Sequence, residues 1–104
     1  MKIIFDENVP WPLNRHFSSH IVTSVQKEGW SGIQNGDLVN RVDGIFDVLL
    51  IADKNLRYQQ NLVGRKIAIV ELPTNRWPVL QGRLAEILAK VKCAQQGSYS
   101  IVEA

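Results

Sequence analysis

Short apolar runs alternate along this chain with amphipathic or glycine-rich stretches, and that alternation sets out its elements. Lys2–Asp6 reads as a first strand, in which Ile3-Ile4-Phe5 ends abruptly in an acid. Pro10–Ser18 follows as a short helix, with prolines in its first turn where no N–H is needed. His20–Val25 is a second strand, rich in β-branched residues. A loop carrying Gly29, Gly32 and Gly36 leads to a helix over Asp37–Val42, with Leu38, Val42 and Ile45 at helical spacing. Asp47–Ala52 is a nearly continuous apolar run, the pattern of a strand covered on both faces. Lys54–Leu62 reads as a helix and Lys66–Leu72 as a fourth strand. The clearest helical pattern spans Pro78–Cys93: Leu80, Leu84, Ile87, Leu88 and Val91 form one stripe, with Glu86 and Lys90 paired outside it. Ser98–Val102 is a last short strand, expected at an edge.

Strands separated by helical segments predict an α/β fold. The expected architecture is a mainly parallel central sheet of four or five strands, with helices on both faces. The 104 residues suffice for one domain, 1–104, with a single core. Crossovers in parallel sheets are right-handed, so the chain winds one way from its first strand and then switches. At that switch the first strand and Asp47–Ala52 become neighbours, about 5 Å apart. Ligands of open α/β sheets bind in the crevice there, beyond the carboxyl ends of the strands.

Both strands that meet at the switch end alike. Ile3-Ile4-Phe5-Asp6-Glu7-Asn8 and Val48-Leu49-Leu50-Ile51-Ala52-Asp53-Lys54-Asn55 each pass from apolar residues to a carboxylate and, two residues on, an asparagine. Asp6 and Asp53 would share the crevice, and Asp37 could lean over the same edge. Glu7 is directed to the opposite face if the strand continues. Crowded carboxylates raise one another's pKa, a conflict that a hard cation such as Mg²⁺ or Mn²⁺ removes. A cation held this way can position a phosphate and a water for phosphodiester hydrolysis. Each acid also has a plainer reading, since Asp6 or Asn8 could cap the helix after the first strand and Asp53 the next one. Asp37 would suit a helix dipole on its own. The repetition at two strand ends favours the shared site, because independent caps have no reason to meet.

Composition narrows the choice further. A hydrophobic share of 45% and a charged share of 21% are those of an ordinary globular protein. No apolar run is long enough to span a bilayer, and Asp6 comes too early for a secretory signal, so a cytoplasmic protein is expected. The lone cysteine, Cys93, and two unpartnered histidines, His16 and His20, argue against a zinc site. Net charge is +2, yet Lys54, Arg57, Arg65, Lys66, Arg76, Arg83, Lys90 and Lys92 face only Glu71 and Glu86 over that stretch. Such a basic half suits a polyanion, and it also suits a solvated surface. Trp11, Trp30 and Trp77 could stack on bases or simply pack. Arg57 and Tyr58 could face a phosphate and a base, or lie on an exposed helix face.

Three segments together resemble the short PIN-like nucleases, in particular the compact bacterial toxin-type subfamily. They are Lys2-Ile-Ile-Phe-Asp-Glu-Asn-Val-Pro10, Gly29-Trp30 to Asn35-Gly36-Asp37-Leu38, and Phe46-Asp47-Val-Leu-Leu-Ile-Ala-Asp53-Lys-Asn-Leu-Arg-Tyr-Gln-Gln-Asn-Leu62. The resemblance covers nearly the whole chain, and Asp53–Leu62 is its most specific part. It implies a three-layer PIN-like fold and a Mg²⁺- or Mn²⁺-dependent ribonuclease, the toxin of a type II toxin–antitoxin pair. RNA, a cognate antitoxin protein and a second copy in a homodimer are the partners that go with it, with no membrane. The acidic site maps onto Asp6, Asp37 and Asp53 as catalytic and metal-holding residues. Asn8, Lys54, Asn55 and Arg57 are its substrate contacts. Asp37 stands where relatives usually carry glutamate. The fourth acid of the longer domains is missing, since Glu71-Leu-Pro-Thr-Asn75 occupies its region.

That gap motivates a second reading, a catalytically silent PIN-like module that binds RNA or a protein. A third, a receiver-like phosphoacceptor, also collects aspartates at strand ends. It requires a lysine after the late strand, where Glu71-Leu72-Pro73 stands.

Overall fold

A computed structural model of the chain describes residues 1–33, 35–52 and 62–103. Five strands form one sheet: β1 (Lys2–Phe5), β2 (Ile21–Ser24), β3 (Val48–Ile51), β4 (Ala68–Glu71) and β5 (Tyr99–Ile101). Their order is β2-β1-β3-β4-β5, and every pairing is parallel. The α/β expectation holds. β1 and β3 are neighbours at the point where the strand order reverses, and the short strand β5 is at an edge. The register Ile3↔Val48, Ile4↔Leu49 and Phe5↔Leu50 ties together the two runs that end in acids.

The sheet is covered on both sides: β3 and β4 bury every residue, and β1 buries all but Lys2. One face carries Ile3, Phe5, Val48, Leu50, Ala68 and Val70, covered by a 3-10 helix (Trp11–Phe17), α2 (Trp77–Gln81) and α3 (Leu84–Lys92). The other carries Ile4, Leu49, Ile51 and Ile69 beneath α1 (Asn35–Val42), which inserts Leu38, Val39 and Val42. Three layers result. The expected helix Lys54–Leu62 falls in the segment whose residues 53–61 lie outside those described.

The short helix expected over Pro10–Ser18 is present as a 3-10 helix, with Leu13 N–H donating to the Pro10 carbonyl at 3.2 Å. The Asn14 side-chain amide takes the Trp11 carbonyl, a local bond that competes with regular helix. The pattern Pro78–Cys93 is two helices rather than one. Gly82 and Arg83 donate three residues back, to Val79 and Leu80, which tightens and ends α2. Glycine is a poor helix former, and a bend there still lets Leu80, Ile87 and Val91 all reach the core. Glu86 pairs with Arg83 at 2.8 Å instead of Lys90. Finally, the β2-to-β3 and β4-to-β5 crossovers run the same way across the sheet but over opposite faces. They are therefore of opposite hand, so not every crossover is right-handed. The usual bias assumes one regular helix packed back on twisted strands; the last connection is two short ones.

Candidate functional site

The crevice begins where β1 stops. Asp6 extends the ladder by one bond, its N–H donating to the Leu50 carbonyl at 2.9 Å. Its own carbonyl then accepts the Val9 N–H at 3.0 Å, which turns the chain away from the sheet. Asn8 is exposed on that turn. The 3-10 helix that follows has Pro10 before it and no side-chain cap, so neither Asp6 nor Asn8 serves there as one. Only 9% of Asp6 is exposed.

Carrying the register one step beyond Phe5↔Leu50 and Leu50↔Val70 puts Asp6, Ile51 and Glu71 on one row. Side chains alternate along strands and match across parallel neighbours, so all three fall on the α1 face. Glu71 is 1% exposed and accepts a hydrogen bond from the Tyr99 hydroxyl at 2.8 Å. Two strand spacings separate the Asp6 and Glu71 backbones, roughly 10 Å. The direction of Glu71 was illegible in the sequence because β4 is apolar on both faces. Asn75 lies beyond the strand and is exposed. Replacing Tyr99 by phenylalanine removes a bond to a buried carboxyl, with an expected loss of about 1–3 kcal/mol of stability. A urea unfolding curve superimposable on wild type would refute that role for Tyr99.

Asp37 belongs to the first turn of α1, but its side chain is exposed. It lines an open cleft of about 630 Å³ together with Gly32, Ile33, Asn40 and Arg41. Asp53, Lys54, Asn55, Arg57 and Tyr58 lie outside the described residues. Among the described residues no group of three or more His, Cys, Asp or Glu side chains is placed to hold a metal ion. Of the expected metal set, Asp6 follows the carboxyl end of β1, Asp37 lines the open cleft on α1, of which Asp6 is not a lining residue, and Asp53 lies outside the described residues. In its chemistry the donor set fits a hard divalent cation, since all three are carboxylates.

Other acids are spent on structure. The Glu7 carboxylate accepts the Gly32 N–H, and the Glu7 carbonyl accepts from the Gln26 amide at 3.1 Å, so Glu7 fastens the glycine loop. Asp47 accepts the Lys2 N–H at 2.7 Å, at the opposite end of the sheet from the crevice. Asp43 accepts the N–H groups of Lys66 and Ile67 at 2.7 and 2.9 Å, which pins the entry to β4. The Ile67 N–H is the largest influence on the Asp43 carboxyl and holds it below its ordinary value of 3.8. Burial opposes that effect, while the Lys66 N–H and the charges of Arg65 and Lys66 reinforce it. The folded-state pKa is depressed, so the stabilisation is present above about pH 4 and is lost as pH falls through the folded value. Asp43→Ala is expected to cost about 1–2 kcal/mol at neutral pH, a modest figure suited to a half-buried group, and less on acidification. Melting temperatures measured across pH check this; a constant difference between variant and wild type would contradict it.

The tryptophans are packing residues. Trp11 meets Phe5 edge-on at 5.7 Å, and Trp30 meets Phe46 edge-on at 6.3 Å. Trp77 lies 6.1 Å from His16 and packs on the first core. His20 Nδ1 accepts from the Met1 amino group at 3.2 Å. No helix of the described residues is long and apolar enough to cross a membrane.

Compared with known proteins, the chain matches no family model, and no curated protein or solved structure is significantly similar to it. The site rests on its own geometry. Asn40 and Arg41 escaped notice in the sequence, although both follow Asp37 at helical spacing.

Proposed function

We propose that the chain is a PIN-like, Mg²⁺- or Mn²⁺-dependent ribonuclease that acts as the toxin of a type II toxin–antitoxin pair. One observation carries the reading: β1 and β3 are adjacent at the sheet's switch point, and β1 delivers a buried carboxylate, Asp6, into that crevice. The second acid, Asp53, follows β3 by two residues in sequence. Asp6, Asp37 and Asp53 would hold the cation, which when bound acts as a Lewis acid on the phosphodiester. Asp6, nearly buried at the end of β1, would meet the cation where charge interactions are stronger than in water. Asn8 and Asn55 would orient the phosphodiester by hydrogen bonding, and Lys54 and Arg57 would offset its charge. RNA and an antitoxin are the proposed partners, with a homodimer as the proposed assembly.

The silent-module reading differs in one measurable respect. Calorimetric titration of Mn²⁺ into the purified chain is expected to show saturable binding that Asp6→Asn and Asp53→Asn each weaken at least tenfold. No heat of binding at millimolar Mn²⁺ would favour the silent module. The strand order is also that of receiver-like domains. The residues after β4 are Leu72-Pro73, with no lysine to serve a phosphoacceptor.

A further inference from the structure

We propose that the cleft between the Trp30–Ile33 loop and α1 is a subsite for one nucleotide of single-stranded RNA. Arg41 would engage a backbone phosphate there, and Asn40 the ribose or base edge. The proposal rests on the nuclease reading and says where the strand runs beside the acids.

Three observations support it. The first is the form of the cleft: at about 630 Å³ it is within the range of small-ligand sites, and Asp37 forms part of its wall. Residues 37, 40 and 41 are exposed on α1, while Leu38, Val39 and Val42 anchor its other face in the core. The cleft is therefore built on a fixed helix.

The second is Arg41 itself. Its guanidinium lies 5.4 Å from the centre of the Trp30 ring, and Trp30 is set edge-on against Phe46. A cation placed over an aromatic face has fewer conformations to lose on binding. Among the described residues no carboxylate lies within ion-pair distance of it. The neighbouring Arg65 differs: it donates to Asn40 and lies 3.9 Å from Asp43. Arg41 is a charge held ready, with a planar fork suited to phosphate.

The third is the fixed orientation of Asn40. An arginine can only donate, so Arg65 identifies the Asn40 atom it meets as the carbonyl oxygen. The two amide hydrogens are left for an acceptor in the cleft. The Asp37 carboxylate in the lining repels a doubly charged phosphate monoester more than a phosphodiester, whose single charge Arg41 can match. A single strand is favoured because its sugar and base edges are open to such contacts.

The test is fluorescence anisotropy in EDTA, with the full chain and a fluorescein-labelled single-stranded RNA of about 12 nucleotides. Arg41→Ala is expected to weaken binding about tenfold and to lower the slope of log affinity against log salt by about 0.7. Arg41→Lys should restore that slope while recovering only part of the affinity, because the charge returns without the fork. Asn40→Ala should weaken binding severalfold with the slope unchanged. Unchanged affinity and slope in Arg41→Ala would overturn the proposal, as would an absence of wild-type binding or equal effects on duplex RNA. Since no metal is present, the result is independent of turnover. An Arg41 effect without any Mn²⁺-dependent cleavage would leave the subsite standing and remove the nuclease.

Discussion

Replacing Asp6 with asparagine is expected to reduce Mn²⁺-dependent RNA cleavage by roughly 10²–10⁴-fold, while the fold survives. Asparagine keeps the size of the side chain but loses the charge that a hard cation requires. Lewis-acid stabilisation of a phosphoryl transition state amounts to several kcal/mol, and each 1.36 kcal/mol is about a tenfold change in rate. The backbone bonds of Asp6 to Leu50 and Val9 do not depend on the carboxylate, so the strand end should persist. Single-turnover cleavage beside a melting curve checks both halves. Rate loss with a folded, cooperatively melting variant fits; a variant cleaving at the wild-type rate does not. Asp43→Ala is the natural counterpart, expected to lose stability and keep cleavage, because Asp43 serves the far end of the sheet.

The largest loss of stability is expected from the residue before it. Phe5 is fully buried on a central strand and meets Trp11 and Phe17 edge-on at 5.7 and 6.1 Å. Truncation to alanine removes two aromatic contacts and leaves a cavity between the sheet and the 3-10 helix, a cost of about 3–5 kcal/mol. Native domains have only about 5–15 kcal/mol to lose. The urea midpoint of Phe5→Ala should fall steeply with little change in slope, since much the same surface is exposed on unfolding. A midpoint close to wild type would show that the Phe5 face of β1 is not packed as described.

Much of this arrangement was legible in the sequence because the strands are marked by composition alone. Val48–Ile51 has the pattern of a strand covered on both sides, and its pairing with Ile3–Phe5 follows from the switch in winding. The same double burial hid other features. With both faces apolar, nothing in Ile67–Leu72 reveals which way Glu71 is directed, so its row with Asp6 had to come from the register. Helical spacing ran through Gly82 without registering the bend, since Leu80 and Ile87 stay in phase with one stripe. The acids were the hardest to sort. Asp6 and Asp47 both adjoin apolar strands, and only the structure separates the acid after β1 from the one that binds an N–H group at a strand entry. Asp37 was correctly placed at a helix start, but its exposure and the neighbouring Arg41 depend on how α1 turns against the sheet.

The central claim is that strand ends at the switch point form a metal-dependent site for RNA hydrolysis. Its most direct test is cleavage of a labelled single-stranded RNA by the purified chain in Mn²⁺, with EDTA, Asp6→Asn and Asp53→Asn in parallel. The account predicts cleavage by the wild type in Mn²⁺ alone, abolished by EDTA and by either substitution. Cleavage that survives both substitutions, or no wild-type cleavage at saturating Mn²⁺, would contradict it.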